Sequence, residues 1–138
     1  MSSDFDVISR AYAAWNQDDL SVWLETLHPD FEWRTSGVFP DLDPVYRGYE
    51  GATEFWRAMH EPWERFRVDV DQVEPHDDWF LVTIRFRAKG VDSGAEADMR
   101  FANAIRVREG LAIEIVPRRT VEEARDLIRQ RQAATSRQ

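Results

Sequence analysis

Asn16-Gln17-Asp18-Asp19-Leu20, followed by Leu27-His28-Pro29-Asp30-Phe31-Glu32-Trp33, is the stretch on which the fold turns. Upstream of it, Phe5, Ile8, Tyr12 and Trp15 recur at the spacing of one helical face, and Ala11, Ala13 and Ala14 favour the same conformation. Asp18 or Asp19 then suits the N-cap of a second helix, because a short carboxylate accepts hydrogen bonds from the unpaired first-turn amides. Leu20, Trp23, Leu24 and Leu27 form the buried face of that helix. Pro29 disfavours helical backbone at His28 and ends it, which leaves His28 as a cap where a cation suits the helix dipole. Phe31 and Trp33 alternate with Glu32 and Arg34, the pattern of a short half-buried strand.

Downstream, residues 35–49 read as loop, punctuated by Ser36-Gly37, Phe39-Pro40, Asp43-Pro44 and Arg47-Gly48. Val38, Phe39, Leu42, Val45 and Tyr46 are too apolar for a solvated linker, so the segment from Ser36 to Tyr49 is expected to fold over the interior as a lid. A third helix starts near Gly51, with Ala52, Phe55, Trp56, Met59 and Trp63 on its apolar side, and Pro62 kinks or ends it. The second half switches to a period of two. Phe66, Val68 and Val70 mark one strand; Phe80, Val82, Ile84 and Phe86 the next; Met99, Phe101, Asn103, Ile105 and Val107 a third. A last strand, 111–116, precedes Thr120-Val121-Glu122-Glu123, a capping box for a C-terminal helix carrying Val121, Ala124, Leu127 and Ile128. Three helices followed by an antiparallel meander make an α+β domain, with the helices on one face of the sheet. One domain spans 1–138, with a core over about 5–128 and a polar tail, 129–138, where disorder would concentrate.

Composition narrows the chemistry. The 138 residues carry a net charge of −8, which argues against a nucleic-acid partner. No apolar run approaches the roughly 18 residues of a membrane span, and no signal segment opens the chain, so a cytoplasmic location is expected. The absence of cysteine excludes disulfides and thiolate chemistry. Seventeen arginines accompany a single lysine, Lys89, placed in a turn, which argues against Schiff-base catalysis. The three histidines lie in unrelated elements without metal-ligand spacing, so neither a metal nor a cofactor is expected.

Tyr12-Ala13-Ala14-Trp15-Asn16-Gln17-Asp18-Asp19-Leu20, His28-Pro29-Asp30-Phe31-Glu32-Trp33, Tyr46-Arg47-Gly48-Tyr49-Glu50-Gly51, Ser93-Gly94 and Val107-Arg108-Glu109-Gly110 occur in that order over roughly residues 5 to 128. In order and spacing they resemble the nuclear-transport-factor-2-like superfamily, in its SnoaL-like branch of small bacterial proteins. The resemblance implies a cone-shaped roll, three N-terminal helices on a curved, mostly antiparallel sheet, and a short C-terminal helix. It also implies a small-molecule pocket between helices and sheet, and a homodimer formed through the sheet. Its relatives include polyketide cyclases, ketosteroid isomerases, dehydratases and non-catalytic binding modules, so the fold alone assigns no reaction. Ketosteroid isomerases combine an Asp base with a Tyr and a protonated Asp. Aligned through Asn16, the tyrosine position falls on Ala11, the base on Thr35 and the second acid near Asn103. Tyr12 is one residue off, about 100° around the helix. Two of the three groups are missing, and no catalytic residue is assigned.

The residues placed in the pocket are Trp15, Trp33, Thr35, Trp63, Phe101 and Asn103. Trp33 follows the corner and precedes the lid. Asn103 sits between Phe101 and Ile105 on an inward strand face, where an amide can hold a water or polarise a carbonyl. His60 with Glu61 is a further acid/base candidate at a helix end, and Asp98 with Arg85 or Arg100 has the wrong parity for an inward site and reads as outer-face charge pairing. The sequence thus points to a small apolar or aromatic ligand, with cofactor-free cyclisation, isomerisation or dehydration as the chemistry of an enzyme. The alternative is a binding or dimerisation module without turnover.

Overall fold

The computed structural model describes residues 4–35 and 42–136. Its elements are α1 (Asp4–Asn16), α2 (Leu20–Glu25), β1 (Leu27–Arg34), β2 (Val45–Arg47), α3 (Gly48–His60), β3 (Trp63–His76), β4 (Trp79–Gly90), β5 (Glu96–Arg108), β6 (Leu111–Arg118) and α4 (Val121–Ser136). The strands form one open, curved sheet in the order β2-β1-β6-β5-β4-β3. β1 runs parallel to β6, and every other pair is antiparallel. This is the expected α+β roll.

The corner between α1 and α2 is fastened by its polar residues. Asp19 accepts from the Val22 amide as the N-cap of α2, while Asp18 takes a positive φ of 56° in the turn before it. Asn16 reaches the sheet edge: its Nδ2 donates to the Val68 carbonyl and its Oδ1 accepts from the Val68 amide, both at 2.8 Å. One side chain thereby acts as a strand partner for β3, whose outer edge has no neighbouring strand among the described residues.

Several boundaries differ from the sequence reading. α2 ends at Glu25, capped by Thr26, so Leu27, His28 and Pro29 already belong to β1. Pro29 lies where the β1–β6 register lapses between Leu27 and Glu32, a place where a missing N–H costs no ladder bond. His28 is therefore not a helix cap; its Nδ1 accepts from the Asp30 amide within this irregularity. Phe5, assigned to the buried stripe of α1, is 53% exposed, and Val7 is buried instead. Trp63 begins β3, because α3 stops at His60, just before Pro62. Of the expected lid, Ser36 to Asp41 lie outside the described residues. Within the remainder, Val45–Arg47 pair with β1 as an edge strand, Tyr46 is buried in the inner core with Leu42 packed against that core, and α3 starts at Gly48.

The helices occupy both faces of the sheet. α1, α2 and α3 cover the inner face, where the main core gathers around Trp15, Trp23, Phe31, Phe55 and Val82. α4 lies on the outer face over a second cluster of Trp79, Leu81, Ala102, Ala104 and Val116. It is the longest helix among the described residues, 16 residues, and continues past 128 to Ser136. Its start is capped as its sequence foretells, with Thr120 Oγ1 accepting from the Glu123 amide. No helix among the described residues is long and apolar enough to cross a membrane.

Candidate functional site

Alternation along β4 and β5 sends Ile84, Phe86, Phe101 and Asn103 to the inner face, opposite α1 and α3. Between these layers two small chambers remain. The larger, of about 40 Å³, is walled by those four side chains with Phe55 and Met59 of α3, Phe66 and Val68 of β3, and the trio Tyr12, Trp15 and Trp33. The smaller, of about 20 Å³, lies toward β6, against Ile8, Leu27, Ile105 and Ile115, and shares that trio. Tyr12, Trp15 and Trp33 are thus the partition between the chambers. No charged side chain lines either one among the described residues.

Aromatic packing fills most of the cone. Trp15 meets Trp23 edge-on at 4.9 Å and Trp56 at 4.4 Å between ring centroids, and Trp33 stacks on Phe55 at 4.0 Å. At about 40 Å³ the chamber has room for a few water molecules and is well below the roughly 150 Å³ of a cavity that takes benzene, so a ring enters only if the walls part.

Behind the apolar lining of the larger chamber a polar pair spans the cone. Asn103 Nδ2 on β5 donates to the Tyr12 hydroxyl on α1 at 2.7 Å. Burial pushes the Tyr12 hydroxyl well above its ordinary range, and the Asn103 bond opposes that only in part, so the phenol stays a neutral donor. Two further polar atoms here are buried without a protein partner, Asn103 Oδ1 and Trp33 Nε1. Asn103 is 1% and Trp33 7% exposed, so bulk water does not satisfy them. An unpaired buried group of this kind costs about 1–3 kcal/mol, and native folds keep few of them.

A SnoaL-like domain model matches residues 8–115, from the middle of α1 to the last strand of the sheet. The chain belongs to the SnoaL-like domain family. Solved structures of the same roll lie close to it. An NTF2-like protein of unknown function from Burkholderia pseudomallei superposes with a TM-score of 0.77 at 23% identity, over 89% of this chain and 95% of that one. TerC, co-crystallised with polyporic acid, gives 0.78 at 21% identity, over 93% and 99%. A protein with a ketosteroid isomerase-like fold from Catenulispora acidiphila, in complex with trimethylamine, gives 0.73 at 11% identity, over 82% and 84%. These likenesses establish the fold. No curated protein sequence matches the chain.

In this SnoaL-like chain four of the six residues read as pocket-lining come together: Trp15 and Trp33 wall both chambers, and Phe101 and Asn103 wall the larger. Thr35 and Trp63 line neither. The Thr35 hydroxyl donates to the Asp43 carbonyl and its amide to the Pro44 carbonyl, so its polar groups hold the chain beyond β1. Trp63, carried off by the end of α3, rests edge-on against Phe86 at 5.9 Å. His60 faces Asp18, Nε2 to Oδ1 at 3.1 Å, rather than Glu61, and stacks on Trp56 and Trp15 behind the chamber wall. Arg85 and Asp98 form a two-bond pair across β4 and β5, at 2.9 and 2.7 Å, on the outer face. Tyr12 is the residue that sequence reasoning missed. Its signal was present, three positions before Trp15 on the same helical face, but a stripe residue reads first as core.

Proposed function

We propose that this SnoaL-like chain binds a small apolar or aromatic molecule in the larger chamber, between the helices and the curved sheet, without a cofactor. The observation that carries this reading is an apolar chamber between helices and sheet, with Tyr12, Trp33 and Asn103 among its lining residues and a buried polar atom of Trp33 and of Asn103 left unpaired behind that lining. Two similar structures, TerC with polyporic acid and the Catenulispora protein with trimethylamine, support it by placing small organic molecules with this fold. Binding without turnover is favoured over cyclase, isomerase or dehydratase chemistry. Those reactions need a base within hydrogen-bond reach, and no carboxylate or imidazole lines either chamber among the described residues.

Ile84→Phe tests the location, because the added ring fills the larger chamber. In a thermal-shift screen of neutral ring compounds, stabilisation of the parent and none of Ile84→Phe is the expected result. Equal stabilisation of both places the ligand elsewhere.

A homodimer belongs to the same proposal. The outer sheet face that α4 leaves bare carries charges of both signs, with Asp69 between Arg67 and Arg87 and Asp98 on Arg85, and a second copy presents the complementary pattern. Sedimentation velocity is expected to show a dimer that weakens as salt rises. A monomer at every concentration and salt removes this part of the proposal.

A further inference from the structure

A groove of about 390 Å³, far roomier than either inner chamber, lies on the outer face of the sheet, bounded by Arg65 and Arg67 of β3, Arg87 and Lys89 of β4, and Glu96 and Asp98 of β5. Strand register sets its charges in rows. Arg65 stands opposite Lys89, which faces Glu96; one row on, Arg67 stands opposite Arg87, which faces Asp98; Asp69, Arg85 and Arg100 form the next. Six of these nine outward positions are cationic, in a chain whose net charge is −8, so an anion is drawn to this face. Like charges directly opposite each other across strands repel. In the second row the fold answers that repulsion, because Asp69 accepts from Arg67 at 2.8 Å and from Arg87 at 2.6 Å. In the first row it does not. Arg65 and Lys89 have no ion-pair partner among the described residues, Glu96 pairs with neither, and both Asp98 oxygens are taken by Arg85. A cation pair left unrelieved beside a groove, next to one that is relieved, is a local cost that a ligand would offset.

Independently of the inner chamber, we propose that this groove binds a small organic phosphate. Arg65 and Lys89 hold the phosphate, the guanidinium as a fork and the ammonium as a compact charge. Across the groove Glu96 and Asp98 can only accept hydrogen bonds, so the body of the ligand carries hydroxyl or amino donors rather than a second anionic group. A volume of about 390 Å³ matches an organic molecule rather than a bare ion. Arg65 and Lys89 lie one row beyond the ion pairs on which the dimer reading rests.

The test is calorimetric titration of the full chain at about 0.01 M ionic strength with glucose 6-phosphate, glucose and inorganic phosphate as probes. Glucose 6-phosphate is expected to bind about tenfold more tightly than inorganic phosphate, glucose to give no binding, and both anions to weaken at about 0.1 M. Arg65→Gln/Lys89→Gln should lose at least about tenfold in affinity for glucose 6-phosphate, and Glu96→Ala should narrow its preference over inorganic phosphate. Ile84→Phe, which fills the inner chamber, should bind it as the parent does. No binding of glucose 6-phosphate, or undiminished binding in Arg65→Gln/Lys89→Gln, overturns the site. Equal affinity for glucose 6-phosphate and inorganic phosphate, or binding of glucose as tight as either, overturns the ligand class. Loss of binding in Ile84→Phe places the ligand in the chamber and overturns the groove while leaving the binding reading standing. Should the double variant not fold, Lys89→Gln alone decides: weakened binding supports the assignment, and undiminished binding overturns it.

Discussion

Asn16 and Asn103 carry the same amide to opposite ends. Asn16 has both of its polar atoms bonded to the Val68 backbone, and its role is complete within the fold. Asn103 has one atom on Tyr12 and one on nothing in the protein, in a more deeply buried place. A pair kept only for stability would not be built this way, since two apolar groups of similar shape would serve better. The double variant Tyr12→Phe/Asn103→Leu is therefore expected to be at least as stable as the parent in urea unfolding, with Tyr12→Phe alone losing about 1 kcal/mol. A loss above about 2 kcal/mol in the double variant would assign the pair to the fold instead. Asn103 was legible in the sequence because strand alternation fixes which way it points. Thr35 was not: its neighbour in space, the Asp43 carbonyl, is eight positions away through a segment with no periodicity. The orphaned Trp33 Nε1 has no sequence signature at all, since whether an indole N–H finds a partner depends on every element around it.

Among the elements, the N-terminal corner and the meander follow directly from spacing, capping and alternation. The motif from Tyr46 to Gly51 also gains a physical reason. Gly48 has a positive φ of 65°, and a Cβ on Gly51 would stand 2.9 Å from the Tyr46 carbonyl carbon, so both positions call for glycine where β2 turns into α3. The placement of α4 was not legible, because its apolar residues fit either face of a sheet. What selects the outer face is the stripe from Trp79 to Val116, together with charge. Arg131 and Arg34 share the nearly buried Glu114, Arg125 forks onto Glu74 at 3.0 and 3.2 Å, and Gln132 donates to the His76 carbonyl. The Arg125 hydrogen bond, followed by that of His76, holds the Glu74 carboxyl below the usual carboxylate range. A carboxylate with a depressed folded value stabilises above the unfolded value and loses that contribution as pH falls through the folded one. Glu74 is 42% exposed, so solvent screening keeps the contribution under about 1 kcal/mol. Arg125→Met is expected to speed amide exchange in α4 at neutral pH, with the difference from the parent shrinking below about pH 4. Identical exchange at neutral pH would show that the apolar stripe alone docks the helix.

For the whole molecule, five of the six tryptophans and a curved sheet produce a cone that is nearly, though not wholly, filled, while Trp79 packs on the outer face. The space left is small and divided by Tyr12, Trp15 and Trp33, and its polar groups come from α1, β1 and β5, three elements far apart in the chain. Fold and site therefore stand at different distances from the sequence. Local rules specify the roll, whereas the chamber is a residue of packing among ten elements and shows only once they are assembled. If this chamber receives a ligand, a crystal of the chain soaked with a small neutral ring compound should show the compound in the chamber walled by Trp33, Phe101 and Asn103; a chamber that stays closed, or the compound bound only on the outer surface, contradicts it.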